Sequence, residues 1–274
     1  MTRAAKPATI ADITSDQNNS VSSPLSSGAR ILLVEDNLLN QQLMLDLLRG
    51  HQLQVEVAGN GREAVNAVEH QSFDVVLMDI QMPEMDGLEA TRRIRSRAEF
   101  SKLPIIAMTA NVMAEDRARC ADAGMNDFLG KPIDMAEVVT VLARWIQPSA
   151  AAPAPAPVNG PVPTPVIDWD LTLRRLSGRA DLLKRALKDF SMRAPSYADE
   201  ILQLQAQGKW LDAQHHAHTL KGIAANLGMN RLMEAANYAE RTLRSNQPLE
   251  ADLQNELQSA STEAIAASAK LTAA

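Results

Sequence analysis

The 274 residues are 46% hydrophobic but only 3% aromatic, enough chain for two domains whose cores draw on Leu, Val, Ile, Ala and Met. A formal net charge of −6 gives no reason to expect nucleic-acid binding, and the single cysteine, Cys120, excludes an intrachain disulfide and fits a reducing compartment. No apolar run approaches the roughly 18 residues of a membrane span, and the amino terminus lacks the charged-then-apolar layout of a secretory signal, so the chain reads as cytoplasmic.

Residues 1–29 are rich in Ser, Thr, Asn, Asp and Ala without a sustained apolar period, and are expected to be a disordered tail or linker. From Arg30 the pattern changes. Ile31-Leu32-Leu33-Val34 reads as a buried strand that runs into Glu35-Asp36, followed by a helix over about 37–50. Val55 and Val57 mark a second strand, and residues 61–70 a second helix. Val75-Val76-Leu77-Met78 is a third strand that ends on Asp79. Pro83 and Gly87 then impose a loop before the helical spacing of Leu88, Thr91 and Ile94. A fourth strand, 104–108, ends on Thr109-Ala110; a helix over about 113–123, a fifth strand near 127–129 ending at Lys131-Pro132, and a helix over 134–146 complete the unit. Strands alternating with helices predict a parallel sheet covered on both faces.

Four strand ends therefore deliver Glu35 and Asp36, Asp79, Thr109 and Lys131 to one edge of the sheet, where open α/β sheets bind ligands. Three clustered carboxylates repel one another and call for a cation, and hard oxygen ligands suit Mg²⁺. A metal there reduces the repulsion of an incoming phosphoryl group and keeps Asp79 ionised as a nucleophile. Thr109 can donate to a phosphoryl oxygen and Lys131 can pair with another. Taken singly, each residue has a blander role as cap, turn former or solvated charge; each standing after its own strand is what favours a site.

Glu35-Asp36, Asp79 with Met82-Pro83-Glu84-Met85-Asp86-Gly87, Met108-Thr109-Ala110 and Lys131-Pro132 resemble the signature set of receiver domains of two-component signalling, over residues 30–147. The resemblance implies a flavodoxin-like fold with a five-stranded parallel sheet. It also implies that Asp79 takes a phosphoryl group from the phosphohistidine of an upstream sensor histidine kinase. Glu35, Asp36 and Asp79 would hold Mg²⁺ with the backbone carbonyl of Gln81. Phe128 would be the switch aromatic that turns inward as Thr109 moves, and the Lys131–Pro132 bond would be cis.

Residues 148–165 carry seven of the 14 prolines and read as an extended Ala/Pro-rich linker, reaching roughly 55 Å at about 3.1 Å per residue. Residues 166–268 then read as an all-α antiparallel four-helix bundle, with 269–274 a tail. Asp168 is placed to cap a short first helix, and the stripe of Leu182, Leu183, Ala186, Leu187 and Phe190 resumes beyond Pro195. On the helix from Trp210 to about Leu227, Ala213, Ala217, Leu220, Ala224 and Leu227 define the buried stripe. His218 falls off it and is expected to be an exposed, neutral nucleophile. His215 and His216 are rivals, but only His218 has a lysine, Lys221, at i+3 to neutralise a phosphoryl group and a glycine, Gly222, at i+4 to admit a partner.

Ala217-His218-Thr219-Leu220-Lys221-Gly222 and Ala224-Ala225-Asn226-Leu227-Gly228 resemble the histidine-phosphotransfer domain. The resemblance implies that His218 is the phosphorylated histidine. A receiver followed by such a domain resembles the carboxyl-terminal part of hybrid sensor kinases, in which phosphate passes from receiver to histidine to a separate downstream response regulator. The intramolecular contact is expected at Asn40, Leu43 and Pro132-Ile133. Two other readings are a haloacid-dehalogenase-type phosphohydrolase, disfavoured because Gln81 stands where its second Asp is needed, and a module that sequesters regulators without transfer.

Overall fold

The computed structural model describes residues 25, 28–110, 114–146 and 165–273. The amino-terminal tail up to residue 24 and nearly all of the linker expected at 148–165 lie outside the described residues. Five strands, β1 (Arg30–Val34), β2 (Gln54–Ala58), β3 (Val75–Asp79), β4 (Ile105–Thr109) and β5 (Asp127–Gly130), form one parallel sheet in the order β2-β1-β3-β4-β5. The helices between them are α1 (Leu38–Arg49), α2 (Gly61–His70), α3 (Gly87–Arg95), α4 (Ala114–Ala123) and α5 (Met135–Ile146). Strand order reverses between β1 and β3, so their carboxyl ends diverge into a crevice.

Strand period 2 sorts the apolar residues to the two faces. Leu32, Val34, Val76, Met78, Ile105 and Ala107 pack with α2, α3 and α4, whereas Ile31, Leu33, Val75, Leu77, Ile106 and Met108 pack with α1 and α5. The short runs are apolar throughout because both faces are covered. Helix starts are fixed by side chains: Asn37, Asn60 and Asp86 accept from the first-turn N–H groups of α1, α2 and α3, each contact stabilising its helix by about 1 kcal/mol.

The second half comprises α6 (Trp169–Arg175), α7 (Ala180–Ala206), α8 (Trp210–Asn226), α9 (Asn230–Arg244) and α10 (Ala251–Ala273). Asp168 caps α6 through Leu171 N–H, as its position suggests. Gly228 has φ +70, and a Cβ there would lie 2.2 Å from Thr172 Oγ1, so only glycine lets α6 close on the α8–α9 turn. Three expectations change. The helix around Pro195 is one continuous 27-residue element instead of two stripes; with its neighbouring helices packed along it, tertiary burial outweighs one lost backbone bond. The expected tail 269–274 is helical through Ala273. Leu25 and Ala29, assigned to a tail, are buried against the core.

The two halves are in contact. α1 packs against α7 and α8, and one apolar cluster runs from the α1/α5 face of the sheet, through Leu39, Leu43 and Leu47, into the bundle at Leu183 and Ile223. Polar bonds flank it: Arg179 Nη1 donates to Asp46 O at 2.7 Å, and His215 Nε2 meets Asp36 Oδ2 at 2.8 Å.

Candidate functional site

The ends of β1 and β3 carry the acidic cluster. One carboxylate oxygen from each of Glu35, Asp36 and Asp79 lies within 4.8 Å of the others. Asp79 ends β3 opposite Met108 of β4, and Thr109 ends β4 opposite Gly130 of β5. Lys131, one residue later and joined to Pro132 by the expected cis bond, reaches back with Nζ 2.6 Å from Asp79 Oδ2 and 2.8 Å from Glu35 Oε2. The loop after β3 folds over this edge through Gly87, where a Cβ would stand 2.1 Å from Asp79 O. Burial pushes the Asp79 carboxyl up to about 7 against the pull of Lys131, with Glu35 and Asp36 adding to the rise. Burial disfavours a charged Lys131, but the Asp79 and Glu35 carboxylates outweigh it and hold its ammonium above the ordinary value. Three hard oxygen donors in this space form a donor set that fits a small divalent cation.

His218 stands on α8, only 7% exposed. The expectation of an exposed imidazole is therefore corrected. Helical spacing places it off the apolar stripe, but α9 packs on that face and brings Glu240 against the ring. Its Nδ1 lies 3.2 Å from Glu240 Oε1, and Lys221 Nζ donates to Glu240 Oε2. Burial opposes ionisation of Glu240, yet His218 and Lys221 outweigh it and bring its carboxyl down to about 2. A carboxylate can only accept, so Nδ1 carries the hydrogen and Nε2 is left with the lone pair. Burial lowers the His218 pKa, with Glu240 in opposition, keeping the ring neutral at pH 7. Asp79, Thr109, Lys131, His218 and Lys221 line a single cavity of about 910 Å³ between the two halves.

The family model for the response regulator receiver domain matches residues 31–143, and that for the Hpt domain matches residues 185–267. The chain carries a receiver domain followed by an Hpt domain. This pairing is that of a phosphorelay module. Sensor protein GacS of Pseudomonas syringae pv. syringae is 35% identical over 248 residues, which are 86% of this chain and 27% of that protein. Signal transduction histidine-protein kinase BarA of Escherichia coli K12 is 32% identical over 234 residues, 83% of this chain and 25% of that protein. The chain thus spans about a quarter of the length of these curated relatives. Among solved structures, the receiver domain of sensor histidine kinase PA1611 from Pseudomonas aeruginosa PAO1, described with magnesium in its active-site cleft, is 45% identical. It covers 44% of this chain and 98% of that one, with a TM-score of 0.42.

Within the receiver domain Glu35, Asp36, Asp79, Gln81, Thr109 and Lys131 lie at or beside the acidic edge, whereas Phe128 stands inside β5 on the α2/α3/α4 face of the sheet. Gln81 N–H donates to Asp79 Oδ1 at 3.3 Å. Phe128 is half-buried, with the Arg117 guanidinium 3.9 Å from its ring centre, a cation–π contact. In the Hpt domain, Lys221 is committed to Glu240 instead of standing free. Sequence reasoning missed Glu240, which lies 22 residues from His218 on another helix, and it missed the reach of His215 to Asp36. His215 sits one turn before His218 on α8, so the α8 face turned toward the receiver was the available signal. The Asp36 hydrogen bond outweighs burial and raises the His215 pKa, while the same contact lowers that of Asp36.

Proposed function

We propose that Asp79 accepts a phosphoryl group from the phosphohistidine of an upstream sensor histidine kinase and hands it to His218, which phosphorylates a downstream response regulator in the cytoplasm. The observation that carries this reading is that Asp79 and His218, on separate domains, open into one cavity. In the first step an Asp79 oxygen attacks phosphorus, the O–P bond forms, and the donor's P–N bond breaks with its electron pair returning to the donor imidazole. In the second step His218 Nε2 attacks, N–P forms, and Asp79 leaves as a carboxylate. The Nδ1–H stays on the ring and keeps donating to Glu240, whose negative charge offsets the positive charge that the imidazole acquires.

Thr109 and Lys131 are assigned to phosphoryl oxygens on Asp79, and Lys221 to those on His218. Their positions around the cavity support this. Phe128 is assigned as the aromatic that follows Thr109. Glu35, Asp36 and Asp79, with the Gln81 carbonyl, would hold Mg²⁺, which supplies charge neutralisation for the incoming phosphoryl group. The test is incubation of the chain with a phosphorylated kinase core, following label in wild type, Asp79→Asn and His218→Gln. Asp79→Asn should take up none, and His218→Gln should retain it on Asp79. Onward transfer by His218→Gln would refute the assignment and point to His215 or His216.

A further inference from the structure

Asn226, the last residue of α8, is 6% exposed. Its side-chain amide makes its hydrogen bonds across the domain boundary: Oδ1 accepts from Ile133 N–H at 3.0 Å, and Nδ2 donates to Asn40 Oδ1 at 3.0 Å. Among the described residues no bond of this side chain goes to its own bundle. Asn40 Nδ2 in turn donates to Glu35 Oε1 at 3.0 Å, and Lys131 Nζ joins Glu35 to Asp79. One line of hydrogen bonds thus runs from the Hpt domain to Asp79.

The line has a direction. A backbone N–H can only donate, so Asn226 must give Ile133 its oxygen and Asn40 its amine. The Glu35 carboxylate accepts, so Asn40 must give it an amine and turn its oxygen to Asn226. Flipping either amide would set two acceptors or two donors face to face. A docked domain therefore has to present one donor and one acceptor at this spot, and most side chains cannot. Space is not the filter: a Cβ on Gly222, one turn before Asn226, would lie 3.6 Å from Asn40 Nδ2, an ordinary van der Waals contact. Asn226 is eight residues from His218, about 12 Å along the helix axis, so it is clear of the transferred group.

We propose that Asn226 is a specificity-determining residue for the relay step: it matches the Hpt domain to a receiver carrying Asn40 and the Pro132-Ile133 turn, and so sets which Asp hands its phosphoryl group to His218. This rests on the relay reading above. Asn226→Asp is nearly isosteric but turns a second acceptor toward Asn40. In the full chain, labelled at Asp79 by a small-molecule phosphodonor, this variant should take up label as wild type does and pass it to His218 roughly ten- to a hundredfold more slowly, as expected when buried polar groups lose their partners. Asn226→Ala should also slow transfer, and Asn40→Ala should cost less in that background than on its own, because their shared bond is already gone and only the Asn40–Glu35 bond is left to lose.

A readout independent of transfer is amide hydrogen exchange at Ile133, which should accelerate in Asn226→Ala while the melting of the Hpt helices is unchanged. Wild-type transfer in Asn226→Asp, additive losses in the Asn226/Asn40 cycle, or unaltered Ile133 exchange would each overturn the proposal. Wild-type chain whose label never leaves Asp79 would instead refute the relay reading, and Ile133 exchange would still judge the Asn226 contact.

Discussion

Replacing Glu240 by Gln keeps the shape of the side chain and removes its charge. Glu240 is 1% exposed and accepts from His218, Lys221 and Arg244. Its carboxyl is drawn from 4.5 to about 2 because His218 and Lys221 together outweigh burial. At pH 7 the His218 ring is neutral, so only the Lys221 and Arg244 charges hold the carboxylate there, and the stability it contributes is at most roughly 3 kcal/mol. A depressed carboxylate contributes that stability in full above the unfolded value of 4.5, and loses it as pH falls toward about 2. Glu240→Gln should therefore unfold with a free energy about 2–3 kcal/mol lower than wild type at pH 7, in denaturant titrations followed by helix circular dichroism. The difference should shrink as pH falls below 4.5. Transfer from Asp79 to His218 should also slow, since a side-chain amide can present its NH₂ to Nδ1 and stabilise the wrong tautomer. A stability difference that is absent at pH 7, or constant from pH 7 to pH 3, would refute the argument.

Labelling of Asp79 should stop in chelator and in Asp36→Ala, because the carboxylates otherwise repel the incoming phosphoryl group; undiminished labelling in either contradicts the metal assignment. Ile133→Asp should destabilise the docked arrangement, since Ile133 is 5% exposed in the shared cluster, and should slow transfer to His218 severely while a small phosphodonor still labels Asp79. Leu43→Asp should act in the same direction with a further cost to the receiver core, and loss of small-donor labelling in Ile133→Asp would count against docking as the cause. Transfer within one chain should proceed at a rate independent of dilution, since tethering supplies an effective concentration near millimolar; a rate proportional to chain concentration would show exchange between chains.

The receiver was legible because its chemistry is written at strand ends: a short apolar run, then a carboxylate, threonine or lysine, so position and role share one signal. Glu35, Asp36, Asp79, Thr109 and Lys131 come to one edge as expected. The bundle was harder to read. Helical spacing says which way His218 points but not what covers that face, and Glu240 looks in sequence like a surface glutamate with Arg244 at i+4. Asn40 and Asn226 are polar residues in ordinary helical positions, and nothing local pairs residues 186 apart. The docking site was foreseen at Asn40, Leu43 and Pro132-Ile133, but Leu43 is core of α1 and interface at once, which a single-domain reading cannot separate.

His218 is almost closed to solvent and lines a cavity shared with the receiver. On the proposed relay, a downstream regulator has to bring its own aspartate to the same Nε2, through the space that the resident receiver borders. The two would compete for α8, so the attached receiver would be both supplier of the phosphoryl group and competitor of its next acceptor. Onward delivery would then wait on departure of the receiver, and its dwell time would set the clock of the pathway.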